Sequence, residues 1–149
     1  MTIKIVIIDT NVVVAGLLTT QANSPTAQIL DGMLNGDLVY LLSPELLSEY
    51  RAVLLRPKLR ALHKLTEVEL DQLLTEITAN AIWHEPAEQH QHRSPDPGDQ
   101  HLWNLLAGEQ RAVLVTGDQL LLQHPHPDSS VVSPSTLIRW IGSSVNHPS

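Results

Sequence analysis

Two short apolar runs, each closed by a carboxylate, constrain the fold of this chain more than any other feature. Residues 3–8 read IKIVII and end at Asp9; residues 112–118 read AVLVTGD and end at Asp118. Neither run alternates apolar with polar positions, so each suits a strand buried on both faces, as inside a parallel sheet. Residues 38–42 (LVYLL) are a third such run, and Ile82-Trp83 and Val131-Val132 fit shorter strands.

Helix signals fall between these runs. Ser24-Pro25, Ser43-Pro44 and Ser133-Pro134 each set a capping hydroxyl before a proline at the first helical position. Gly36 closes the first of these helices, and Arg56-Pro57 breaks or kinks the second. Thr66 with Glu69 predicts a capping box on a helix over about 66–80. Asp99 opens a helix carrying Leu102, Trp103, Leu105 and Leu106, after a polar loop at 86–98. Strands alternating with helices imply right-handed βαβ units. The expected class is therefore α/β: a three-layer α/β/α sandwich with a central parallel sheet of four to five strands. No repeat or linker divides it. Residues 1–142 are expected to form one domain, and 143–149 a flexible tail.

Composition then narrows the chemistry. Aromatics are 3% with no Phe, so Leu, Val and Ile must fill the core, with Trp83, Trp103 and Trp140 as anchors. Base-stacking platforms, which need several exposed aromatics, are disfavoured. The absence of Cys excludes disulfide scaffolds, thiol nucleophiles and Cys zinc sites. No apolar run is long enough for a membrane span or a signal peptide core, so a soluble cytoplasmic protein with no membrane partner is expected. The net charge of −7 means that any contact with nucleic acid needs a local basic patch, a bound cation, or both.

The acids are the candidates for chemistry. Asp9 and Asp118 follow strands, where open parallel sheets bind ligands; either could equally be a simple helix cap. Glu49 lies three residues after Leu46 and four before Val53, on or beside the buried stripe of its helix. It needs a partner there, whether a cation or an Arg or Lys. Asp96 and Asp99 form a D-P-G-D unit at a loop-to-helix junction, where capping is the ordinary role. As a set they mean more. Two unit charges 5 Å apart repel by roughly 3 kcal/mol at an effective dielectric of 20. A cluster of four or five carboxylates is stable only when protonated or neutralised, and hard oxygen ligands select Mg²⁺ or Mn²⁺ over zinc. Phosphodiester hydrolysis is the natural chemistry of such a site. Other phosphate chemistries lack their motifs: there is no GxxxxGK[ST] and no GxGxxG, and Asn11 stands where a D-x-D phosphatase needs its second acid.

The motifs D-T-N-V (9–12), L-L-S-E-Y-R-A-V-L (46–54) with R-P-K (56–58), D-P-G-D-Q-H-L (96–102) and L-V-T-G-D-Q-L-L (114–121) together resemble the PIN domain family. The resemblance covers about residues 3–140 and is nearest the branch of toxin components of toxin–antitoxin pairs, the VapC-like ribonucleases. It implies a Mg²⁺- or Mn²⁺-dependent endoribonuclease, a phosphodiester hydrolase acting on RNA. By position, Asp9, Glu49, Asp99 and Asp118 would be catalytic and metal-binding, with Asp96 beside them on the metal. Asn11 and Thr116 would support the site. The resemblance also implies a cognate antitoxin and a homodimer. A housekeeping RNA-processing PIN nuclease and a catalytically silent PIN-like binding module are the alternatives. Two positions depart from the branch: Gln119-Leu120 stand where Lys-Asp is frequent, and Gln100 where a second acid often follows.

Five of the nine basic residues cluster at Arg51, Arg56, Lys58, Arg60 and Lys64. The first four are candidate contacts to RNA phosphates, although a solvated helix face reads the same way. His90, His92, His124 and His126 read as solvent-exposed loop residues, and His101 could face the mouth of a cleft.

Overall fold

The computed structural model describes residues 4–87 and 91–145, with side chains to residue 142. Strand β1 (Ile5–Ile8) takes the centre of the sheet, and Val6, Ile7 and Ile8 are fully buried. It pairs in parallel with β2 (Val39–Leu42) on one side and β4 (Ala112–Val115) on the other. The two-residue β3 (Ile82–Trp83) and β5 (Ser130–Val132) complete the order β3-β2-β1-β4-β5, all parallel. The chain builds outward from β1 through β2 to β3, then crosses back to β4. Strand order thus reverses between β1 and β4, the place where open α/β sheets leave a crevice at their carboxyl ends. Ile8 pairs with Val115 there, so Asp9 and the residues after Val115 emerge side by side.

Helices α1 (Thr10–Leu18) and α2 (Pro25–Asn35) join β1 to β2; α3 (Pro44–Leu54), α4 (Pro57–His63) and α5 (Glu67–Asn80) join β2 to β3. A 3₁₀ turn (Pro97–Asp99) and α6 (Gln100–Gly108) lead to β4, α7 (Gln119–Gln123) leads to β5, and α8 (Pro134–Val145) ends the described chain. With this strand order, the right-handed crossover rule puts the first five helices on one face and α6 and α7 on the other. Helix α8 returns to pack on α2 and so joins the layer of the first five helices.

The start signals act as the sequence predicts. Ser24, Ser43 and Thr66 accept from the backbone N–H three residues on, and Thr66 and Glu69 make both halves of a capping box. Gly36 ends α2 at φ +78°, a conformation with no steric penalty only for glycine. A Cβ on Gly16 would sit 2.6 Å from the Thr26 carbonyl oxygen, so the α1–α2 crossing depends on that glycine. Arg56-Pro57 ends α3 outright and starts α4. Leu, Ile and Val fill the core around Tyr40, Tyr50 and Trp103, each large apolar side chain contributing roughly 1.5–3 kcal/mol by leaving water. The buried tyrosine hydroxyls are satisfied: Tyr40 donates to the carbonyls of Met33 and Ile77, and Tyr50 to that of Ile8.

Several expectations are corrected. Trp83 is not a core anchor; on a two-residue edge strand it is 46% exposed. Trp140 is partly buried, with the Lys4 ammonium 4.5 Å above its ring. Helix α8 continues to Val145, three residues into the segment expected as a tail, and 146–149 lie outside the described residues, as does His90. His126 is buried, its ring against Trp103 and His92, because the 124–128 loop folds back onto α6 rather than standing in solvent. His92 is partly buried and meets Asp128 at 3.0 Å. Among the described residues no helix is long and apolar enough to cross a membrane.

Candidate functional site

The crevice between β1 and β4 is organised around Asp9. It caps α1 and accepts the Thr10 N–H through Oδ1 at 2.8 Å. Its Oδ2 accepts the Thr116 hydroxyl at 2.8 Å and the Asn11 amide at 3.3 Å. Thr116, fully buried just beyond β4, also accepts from the Asn11 amide and from the Asp118 N–H. Asn11 in turn accepts the Gly117 N–H at 2.9 Å. The ends of two neighbouring strands are thus stitched through side chains onto one carboxylate. Burial pushes the Asp9 carboxyl up, against the Thr116 and Thr10 hydrogen bonds that hold it down, and Glu49 adds to the push. Asp118 caps α7 through Oδ1, which accepts the Leu120 N–H; no hydrogen bond reaches its Oδ2 among the described residues.

The opposite wall comes from helices. Glu49, on α3, accepts the Thr10 hydroxyl on Oε1 at 2.6 Å and meets His101 Nε2 on Oε2 at 2.9 Å. The His101 contact, outweighing burial, holds the Glu49 carboxyl low, with help from Thr10 and Arg56. Tyr50, the next residue along α3, anchors that helix to the carbonyl of Ile8, directly before Asp9. Asp99 ends the 3₁₀ turn and makes no capping hydrogen bond. Burial, then Asp9, Asp96, Glu49 and Asp118, push its carboxyl up to about 6.

Thr10 therefore ties Asp9 to Glu49: its N–H serves one and its hydroxyl the other. The structure brings Asp9, Glu49 and Asp99 to one cleft, with Asp118 across the Thr116 bridge. Asp96 is exposed, caps the 3₁₀ turn through Gly98, accepts the Asp99 N–H on its carbonyl at 3.0 Å, and its side chain acts on the Asp99 carboxyl through its charge. Asn11 and Thr116 lie against Asp9. Of the basic candidates, Arg56 stands near enough to Glu49 to affect it, and Lys58 and Arg60 are exposed on α4, which packs on α1. Arg51 instead turns to α5, paired with Asp71 at 3.0 Å and Glu67 at 2.9 Å. Gln100 is occupied in holding the approach loop, accepting the Ser94 N–H and donating to the His92 carbonyl and to Asn104.

Three residues of the site have little or no sequence signal. Thr10 and Tyr50 carry none beyond adjacency to Asp9 and Glu49. His101 has one, its place two residues after Asp99 in a motif already singled out. Ligand atoms of Glu49, Asp99 and His101 lie within 4.8 Å of one another. Among the described residues no Lys or Arg forms an ion pair with any of these acids. Burial first, and four like neighbours after it, raise the Asp99 carboxyl to about 6, and the donor set of carboxylates with one imidazole suits a divalent cation.

The family profile of the PIN domain matches residues 5–120. Among solved structures, the PIN domain of RRP44 from T. brucei superposes with a TM-score of 0.49 at 14% identity, covering 97% of this chain and 84% of that one. Among curated proteins no relative matches. A match across more than two-thirds of the sequence, including every acid of the cleft, makes this chain a member of the PIN domain family.

Proposed function

We propose that the chain is a Mg²⁺- or Mn²⁺-dependent endoribonuclease that hydrolyses RNA phosphodiester bonds and serves as the toxin of a toxin–antitoxin pair. Proteins of its family are generally metal-dependent nucleases. The observation that carries the reading is the junction at Thr10, where one residue binds two acids 40 positions apart, in a cleft whose third acid is raised to about 6. The toxin assignment is supported by the likeness of the four motifs to that branch; a cognate antitoxin and a homodimeric state belong to the same proposal.

Asp9, Glu49, Asp99 and Asp118 would hold the ion, with Asp96 at the rim. When bound, a divalent ion supplies charge neutralisation, orientation of phosphate and a lowered pKa for water. The chain's own residues set the stage. A carboxylate has about four lone-pair sites; the three hydrogen bonds from Thr10, Thr116 and Asn11 leave Asp9 one, so its free direction is fixed. Asp118 keeps Oδ2 open in the same way. Arg56, Lys58 and Arg60, with Arg51 on the far side of α3, would draw the RNA backbone to a protein whose net charge repels it.

The test is cleavage of a labelled RNA by purified protein with Mn²⁺, with Mg²⁺ and with chelator. Expression in a bacterial host, with and without Asp9→Asn, adds the biological arm. Metal-dependent cleavage and growth arrest, both abolished by Asp9→Asn, are expected. Absence of cleavage under any divalent ion would make this a silent module. Cleavage without growth arrest would remove the toxin role and keep the nuclease.

A further inference from the structure

We propose that His101 is a ligand of the ion in this cleft, and that its imidazole tilts the site toward Mn²⁺ and similar transition ions over Mg²⁺. The inference rests on the metal-dependent reading above and adds a residue and a selectivity to it. Imidazole suits first-row transition ions, whereas Mg²⁺ prefers oxygen donors and water. A cleft of carboxylates alone carries little such discrimination.

The geometry is specific. His101 occupies the first turn of α6, two residues after Asp99, and its side chain is 15% exposed. Nε2 lies 2.9 Å from Glu49 Oε2, and the Asp99 carboxylate falls within the same 4.8 Å group. Two ligands at right angles on one ion, each about 2.1 Å from it, sit about 3 Å apart; that is the spacing of Nε2 and Oε2. Nδ1 is buried and has no hydrogen-bond partner among the described residues. A neutral ring that gives its Nε2 proton to Glu49 leaves that Nδ1 lone pair bare, and no partner holds the ring in this tautomer, so the proton can pass to Nδ1 and the Nε2 lone pair can turn to an ion. Asp99 beside it accepts no capping hydrogen bond. An uncapped carboxylate and an imidazole whose tautomer nothing fixes, both beside Glu49, fit a metal ligand set.

The decisive measurement is electron spin echo envelope modulation on protein loaded with less than one equivalent of Mn²⁺. Nitrogen modulation is expected in the native protein, with the frequencies of ¹⁵N when histidine is ¹⁵N-labelled, a control that needs no substitution. It should vanish in His101→Asn and in His101→Ala. Calorimetric titration should show the preference for Mn²⁺ over Mg²⁺ falling by about tenfold or more in both variants. Mn²⁺ that binds in an Asp9-dependent way with no nitrogen modulation overturns the role of His101 and leaves the nuclease reading intact. Modulation that persists in both variants overturns it by placing the nitrogen on another of the eight histidines. Failure of Mn²⁺ to bind at all overturns both.

Discussion

The two walls of the cleft are built by different means. On the strand wall, Asp9 and Thr116 are buried at the ends of β1 and β4, and short hydrogen bonds to backbone and hydroxyl groups hold them. On the helix wall, Glu49, Asp99 and His101 are partly exposed; Glu49 and His101 hold each other, and Asp99 stands beside them without a side-chain hydrogen bond among the described residues. Beyond the apolar packing of α3 and α6, hydrogen bonds from Tyr50 and the Thr10 hydroxyl tie that wall to β1 and the start of α1. The strand wall therefore fixes position, and the helix wall holds charge that is incompletely balanced. A cation entering between them would gain its place from the first and relieve repulsion in the second.

The comparison can be broken most directly at Asp9. Asp9→Asn should keep the fold, since the amide oxygen can still accept the Thr10 N–H that caps α1, although the hydrogen bond from Thr116 is lost, yet lower metal-dependent RNA cleavage by at least about 10²-fold. Near-native cleavage by a folded variant would mean that the strand wall does not position the reaction. Thr116→Val removes a hydroxyl that touches Asp9, Asn11 and the Asp118 backbone without changing side-chain size much. A loss of about 10- to 100-fold in Mn²⁺ affinity, read by calorimetry, is expected for a residue that orients a ligand.

Tyr50→Phe tests the tie between the walls. It leaves the buried Ile8 carbonyl without its donor, and should lower the free energy of unfolding by about 1–3 kcal/mol with an unchanged denaturant slope. A neutral result would show the helix wall to be anchored elsewhere. The charge imbalance predicts the pH dependence. Asp99 titrates at about 6 in the folded protein against an ordinary 3.8, so the folded state binds more protons between these values. Stability of the metal-free protein should thus fall as pH rises from about 4 to 6, by on the order of 1 kcal/mol once the partial exposure of Asp99 is discounted. Asp9, also raised, acts in the same direction. Saturating Mn²⁺ should reverse the slope, because its ligands must lose their protons. A metal-free stability that rises through that window would deny the imbalance.

The smallest effect separates the basic residues. Arg56→Ala, beside the cleft, should lower the salt dependence of RNA binding by roughly 0.7 in log–log slope if it meets one phosphate. Arg51→Ala, whose guanidinium is engaged by Asp71 and Glu67, should change it less. Equal effects would show that both faces of α3 meet RNA.

The frame of the molecule was legible because its signals are local. Continuous β-branched runs, Ser-Pro starts, the Thr66–Glu69 box and Gly36 each act within a few residues, and each appears where expected. The acids were legible as a set because strand ends and a helix stripe have defined directions. His101 was harder. On a regular helix, residues two apart point to different sides, which argues against His101 sharing a cleft with Asp99. Asp99 instead belongs to the 3₁₀ turn, with φ −98° and ψ 6°, and Gln100 pins the loop before it, so the helical rule does not apply across this junction. Trp83 misled for the opposite reason: a large aromatic suggests core, but β3 is too short and too marginal in the sheet to be covered.

Sequence alone determined the class of fold, the parallel strands and the carboxylates available at their ends, because periodicity, capping and strand direction are properties of neighbouring residues. Tertiary structure alone decided that Thr10 would join Asp9 to Glu49 and that His101 would enter the cleft, whereas the turn of Arg51 away from Glu49 follows from helix spacing. The first two outcomes depend on how α3 and α6 dock at the reversal between β1 and β4, and docking is set by packing between segments far apart in the chain.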